Sequence, residues 1–159
     1  MPSIKSNKIN ELSATRRVHQ QIVAGMNDNI ATTSESALLR DVRVKLLHLH
    51  QTLLDMERKR FETTHGRVNS GELLQLVLNH AQFAWLRIIS ALVVQIDEML
   101  DADEPASAAD MLNLISAARQ LFAESGDQKF QEKYQAALQQ EPDAVMAHAA
   151  LMKLLRPKG

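Results

Sequence analysis

The sequence predicts an all-α fold, a helical bundle of five or six helices with a flexible N-terminal arm. Apolar residues recur at alternating spacings of three and four over most of the chain, as they do along one face of an α-helix. No stretch shows the strict alternation of a half-buried strand. A chain of 159 residues without cysteine can bury one core without disulfides. We therefore predict an arm over residues 1–33 and a single bundle domain over residues 34–159.

The predicted arm has few large apolar side chains and no sustained period. We expect a short helical stretch from Glu11 to Ala24. Segments of this kind often become ordered only on a partner. The side chains available for docking are those of Leu12, Val18, Ile22 and Val23.

The first long helix is predicted over about residues 36–63, with Ser34 or Ser36 as its N-cap. His65 and Gly66 should end it, because glycine readily adopts the left-handed conformation that closes a helix. Further apolar residues widen its face, so it should pack against at least two neighbours. The main seam contains Leu39, Val42, Leu46, Leu49, Leu53 and Met56, and the wider face adds Leu47, Leu54 and Phe61.

Asn69 and Glu72 have the spacing of a capping box and predict a short helix over residues 70–78. A break at Asn79 and His80 should separate it from a central helix that begins at Gln82 and ends near Leu100. Three further helices are predicted over residues 105–124, 127–140 and 142–155, with caps or first turns at Asp103, Pro105, Asp127 and Pro142.

Composition and charge favour some classes of function over others. The net charge of −1 does not favour a nucleic acid as partner. The most apolar window, residues 83–100, is interrupted by Arg87, Gln95, Asp97 and Glu98, so no membrane span is expected. Because the N-terminus lacks an apolar signal segment and the chain lacks cysteine, we expect a cytoplasmic protein.

The block from Leu53 to Asp97 resembles small proteobacterial helical proteins of unassigned function. The likeness rests on four short groups of residues and implies a helical domain without a named activity. The groups are Glu57-Arg58 with Glu62 before His65-Gly66, then Gly71-Glu72-Leu73-Leu74-Gln75-Leu76, then Gln82-Phe83-Ala84-Trp85-Leu86-Arg87, and Ile96-Asp97.

Arg60 and His65 are the candidate catalytic pair. Their spacing, and that of Arg43 with His48, resembles the loose Arg-x4-6-His pattern of the HEPN family of all-α domains, which includes ribonucleases. In such a reaction histidine would act as general base on a 2′-hydroxyl while arginine holds the phosphate. The polar residue that often follows this arginine is replaced by Phe61 or Val44.

Glu62 and His65 are the candidate metal ligands, since Glu-x-x-His places a carboxylate and an imidazole on one helical face in di-iron bundles. A second Glu-x-x-His is absent from the sequence. Three further residues are candidates for binding: Trp85, Arg87 and Asp97. Asp97 shares its side of the helix with apolar residues and should pair with Arg58, Arg60 or Arg87.

The leading hypothesis is a non-catalytic helical protein that acts through protein contacts as a homodimer and carries no cofactor. It is favoured because the first long helix and the helix of Trp85 have wider apolar faces than one helix contact covers. The alternatives are a HEPN-like ribonuclease and a metal-carboxylate helical-bundle enzyme.

Overall fold

The computed structural model describes residues 4–123 and 126–157, with the side chains of residues 12–29, 31–123 and 126–157. The described residues form six α-helices, a 3₁₀ helix and no strand, which confirms the predicted all-α class. The α-helices are α1 (Ile4–His65), α2 (Ser70–Asn79), α3 (Arg87–Asp101), α4 (Ala108–Phe122), α5 (Gln128–Gln140) and α6 (Pro142–Leu155), and the 3₁₀ helix (Ala81–Leu86) lies between α2 and α3.

Helix α1 begins much earlier than the sequence predicts. It begins at Ile4 and has 62 residues, which gives a length of about 93 Å. The predicted start at Ser34 or Ser36 is therefore wrong. Ser36 lies inside the helix, and its hydroxyl accepts a hydrogen bond from Arg40 at 2.8 Å. No proline occurs between residues 4 and 36, so nothing breaks the helix there. The predicted flexibility of residues 1–33 stays a prediction.

The C-terminal half of α1 forms the centre of the core. All six residues of its predicted seam are buried, none more than 6% exposed. This half packs against α3, α4 and α6, which confirms that it has at least two neighbours. Gly66 ends it as predicted, with a φ of 85° that glycine adopts without strain.

The short helix α2 and the break after it are also confirmed. Asn69 Oδ1 accepts from the Glu72 amide, and Glu72 Oε2 accepts from the Asn69 amide, both at 2.9 Å. His80 has an extended backbone, and its Nδ1 accepts from the Gln82 amide at 3.1 Å. The central helix predicted from Gln82 is divided: its first turns are the 3₁₀ helix, and α3 follows from Arg87.

The last three helices differ from the predicted ones mainly at one boundary. Helix α4 begins at Ala108 with Ser107 as its cap, which accepts from the Asp110 amide at 3.1 Å, and not near Asp103 or Pro105. Asp127 caps α5 as predicted, and Pro142 lies in the first turn of α6. Within the described ranges, no helix has both the length and the apolar content that crossing a bilayer requires.

Candidate functional site

The N-terminal half of α1 carries a row of exposed apolar side chains, which we call the N-terminal apolar face. Successive residues of an α-helix are about 100° apart around its axis, so the five side chains of this face lie within an arc of about 140°. Charged and amide side chains, including those of Arg17 and Gln21, occupy the opposite side. The members are Leu12, Val18, Ile22, Val23 and Met26, whose exposed fractions are 69, 54, 55, 41 and 59%.

This face points away from the bundle. Ile22 and Leu49 are 27 residues apart in one continuous helix, which corresponds to about 7.5 turns. The two side chains therefore lie on opposite sides of α1. Leu49 is fully buried against the other helices, so Ile22 faces the other way. The helices that cover the C-terminal half of α1 cannot also cover the N-terminal apolar face.

A polar stretch separates the face from the core. Between Met26 and the first buried residue, Leu39, most positions are polar or small. The hydroxyls of Thr32 and Thr33 donate to backbone carbonyls four residues earlier, at 2.8 and 2.9 Å. These bonds satisfy the hydroxyls locally, without any neighbouring helix. The apolar residues of α1 thus lie on different sides of the helix before and after this stretch. The N-terminal apolar face and the core are therefore separate surfaces.

A buried carboxylate forms a second candidate site. Glu57 is 2% exposed. Its Oε1 accepts from Trp85 Nε1 at 3.2 Å and lies 3.5 Å from Arg60 Nη1, while its Oε2 accepts from Gln82 Nε2 at 2.8 Å. Arg60 also donates to the Gln140 side chain of α5. Both carboxylate oxygens are therefore satisfied, and the cluster joins α1 to the 3₁₀ helix and to α5.

The sequence contains a local signal for the burial of Glu57. Glu57 lies four residues after Leu53 and four before Phe61, both of which belong to the apolar face. A carboxylate at this position of a helix is directed into the core and needs donors there. Its donors come from 25 and 28 residues further along the chain, so the sequence alone could not name them.

No described contact joins the candidate catalytic residues Arg60 and His65. Arg60 is held by Glu57 and Gln140. The exposed His65 ring stacks on Phe61, with centroids 4.1 Å apart and planes at 11°. Its Nδ1 lies 3.2 Å from the Phe61 carbonyl oxygen one turn earlier. The two residues thus take part in separate local contacts.

Glu62, the other candidate metal ligand, is engaged in fixing the turn after α1. Its Oε1 accepts from the Val68 amide and from Arg58 Nε, both at 3.1 Å, and Arg58 Nη2 donates to the Val68 carbonyl at 2.9 Å. The Val68 amide and then Arg58 lower the pKa of the Glu62 carboxyl. Among the residues that the structure describes, no three His, Asp or Glu side chains are grouped so that they could hold a metal ion.

Trp85 and Arg87 both connect helices. The half-buried Trp85 ring lies 5.9 Å from the Phe130 ring of α5. Arg87 Nε donates to the Val77 carbonyl at 2.9 Å, and its Nη2 donates to the His80 carbonyl at 3.3 Å. Arg87 thereby satisfies carbonyl groups at the end of α2 that have no helical partner. Whether Trp85 and Arg87 also bind another molecule stays a prediction.

Asp97 pairs with a different arginine from those expected. It forms an ion pair with Arg43 of α1, and both side chains are about one-third exposed, at 37 and 36%. The expected partners Arg58, Arg60 and Arg87 are held by the contacts described above, so that expectation is wrong. Arg43 and Asp97 are 54 residues apart in sequence, and only the packing of α1 against α3 brings them together.

Comparison with known proteins gives no match. No protein-family model, curated protein or solved structure matches this chain. The resemblance of residues 53–97 to small proteobacterial proteins and that of Arg60 and His65 to the HEPN pattern therefore stay predictions.

Proposed function

We propose that this protein is a non-catalytic helical protein that acts through protein contacts and forms a homodimer by means of its N-terminal apolar face. The observation that carries the proposal is the position of that face: five large apolar side chains lie on the side of α1 that points away from the bundle. A cytoplasmic location, expected from the sequence, belongs to the same proposal.

The size of the face supports an interaction. Its five exposed side chains together present roughly 500 Å² of apolar surface, which is at the upper end of what monomeric proteins expose. Two copies of the face, packed together, would bury about 1,000 Å², which is near the lower limit of a specific interface. Polar flanking residues would add to that area. A helix without tertiary contacts is also only marginally stable in water, so association would stabilise this half of α1.

The charge of the face supports a second copy as the occupant. Between residues 12 and 29 the chain carries Arg16, Arg17 and Asp28. The low net charge of this segment permits two copies to approach without strong repulsion. A strongly charged partner would require a complementary charged surface, and this segment offers none.

The proposal is tested by light scattering on the full chain. Met26→Glu places a charge in the face and should convert the dimer to a monomer. Ala24→Glu is the matched control, because Ala24 is exposed on the opposite side of the same turn. A monomeric unmodified chain would refute the proposal, and so would equal dissociation in both variants.

The two enzyme alternatives have weaker support. In the described part of the chain, Arg60 and Glu62 already hold other partners, and no contact connects either of them to His65. RNA cleavage that disappears in His65→Ala would favour the ribonuclease. Stoichiometric iron, manganese or zinc in the purified protein, lost in Glu62→Ala, would favour the metal-carboxylate enzyme.

A further inference from the structure

His19 lies in the middle of the N-terminal apolar face. Ile22 is three positions after His19 in α1 and Val23 is four positions after it, so all three side chains are neighbours on the helix surface. Met26 follows two turns after His19 on the same side. The His19 side chain is exposed in the single chain. Among the described side chains of residues 12–29, it is the one titratable side chain within the arc that the five apolar side chains of the face span.

We propose that His19 makes self-association through this face dependent on pH, so that the dimer forms when the imidazole is neutral and dissociates when it is protonated. The inference rests on the proposed function, because it needs the face to be the interface. A histidine between two apolar helix surfaces is tolerated in its neutral form, whereas a buried imidazolium without an anionic partner opposes association.

Among the described side chains of residues 12–29, the charged groups near His19 offer no such partner. On its own helix the nearest charged residue with a described side chain is Arg16, one turn earlier, and Arg17 points to the opposite side. All side chains of residues 12–29 are exposed in the single chain. A second copy would bring its own Arg16, Arg17 and Asp28, and the carboxylate of Asp28 lies on the side of the helix opposite the face. Proton uptake therefore remains unfavourable in the dimer.

The sign of the dependence follows from proton binding. Histidine side chains ordinarily titrate near pH 6.5, and enclosing an imidazole between two apolar helix faces opposes its protonation. Association therefore weakens as the pH falls through this range. With two histidines in a dimer, the dissociation constant can rise by up to about 100-fold per pH unit below 6.5.

The experiment is sedimentation equilibrium on the full chain at pH 7.5 and pH 5.5. Circular dichroism at both values establishes that the bundle stays folded. We expect the dissociation constant of the unmodified chain to rise at least tenfold at pH 5.5, and that of His19→Gln to stay within about twofold. His48→Gln, which changes an exposed histidine in the bundle half of α1, should behave like the unmodified chain.

The outcomes separate the two proposals. A dimer whose dissociation constant is the same at both pH values refutes the role of His19 and leaves the proposed function standing. A chain that is monomeric at both values refutes the proposed function. A pH dependence that persists in His19→Gln assigns the effect to another group and also refutes the role of His19.

Discussion

Replacing Glu57 tests the interpretation of the buried carboxylate as a structural link between helices. Glu57→Ala leaves Trp85 Nε1 without its acceptor, and it leaves Gln82 Nε2 with only the Glu57 backbone carbonyl, at 3.1 Å. An unsatisfied buried donor costs about 1–3 kcal/mol. Both donors belong to half-buried residues, so water would replace part of each bond. We therefore expect a loss of about 2–3 kcal/mol in the free energy of unfolding, of which the half-exposed Arg60 contributes little.

The assay is urea unfolding, followed by circular dichroism and by the emission of Trp85, the one tryptophan of the chain. Because Trp85 contacts Glu57 directly, its emission reports on the cluster, while circular dichroism reports on the helices. A loss of 2–3 kcal/mol should lower the melting temperature by about 4–12 °C in a chain of this size. Glu57→Gln should cost less, since a glutamine oxygen can still accept from one of the two donors.

Glu98→Ala is the matched control, because it removes an exposed glutamate from α3 and should change the stability by no more than about 0.5 kcal/mol. If Glu57→Ala is as stable as this control, the reasoning is refuted, and the cluster would then have to be explained by a role other than stability.

Other predictions concern glycines, half-buried histidines and a helix cap. Gly66→Ala should lower the free energy of unfolding by about 1 kcal/mol, because the φ of Gly66 is +85°. Gly25→Ala should stabilise α1 by about 0.5–1 kcal/mol, since no neighbouring atom lies within 4 Å of an added Cβ. Equal effects of the two variants in urea unfolding would contradict this prediction. Burial lowers the pKa of His50 and of His148, so the unfolded chain takes up more protons than the folded chain below about pH 6.5. The free energy of unfolding should therefore fall there by up to about 1.4 kcal/mol per pH unit for each histidine. A stability that does not fall between pH 7 and pH 5.5 would contradict this prediction. Asn69→Ala should cost about 1 kcal/mol by removing a cap bond, and thermal unfolding without a shift would show that this cap is dispensable.

The parts of the fold that depend on local pattern could be predicted from the sequence. The buried seam of α1 follows from its three-four spacing, and the capping box of Asn69 and Glu72 follows from two residues three apart. The left-handed glycine at position 66 is a local signal as well. Each of these features is decided by residues within one or two turns of each other, which is the range that a sequence pattern covers.

The start of α1 could not be found in this way. Between Met26 and Leu39 the apolar residues move from one side of the helix to the other, so no single period continues through the boundary. A single apolar stripe therefore predicts a helix end at the point where the stripe changes side. The absence of proline was the better guide, because a helix continues unless something breaks it.

The contacts of the candidate sites were harder still, because they depend on how helices pack. Glu57 obtains its donors from Gln82 and Trp85, and Asp97 obtains its partner from Arg43. Charge and spacing limited the candidates for Asp97 to arginines but gave no reason to choose among them. Long-range pairs of this kind are determined by tertiary structure, which no motif in this chain encodes.

Hydrogen exchange at two protein concentrations tests the central claim most directly, because it locates the association on the chain. The full-length protein is exchanged well above and well below the dissociation constant, and the peptide that covers residues 12–26 is compared with peptides from the bundle. We predict that residues 12–26 exchange slowly when the chains are associated and rapidly after dilution, while the buried seam of α1 is unaffected. Exchange of residues 12–26 that does not change with concentration would contradict a dimer held by the N-terminal apolar face.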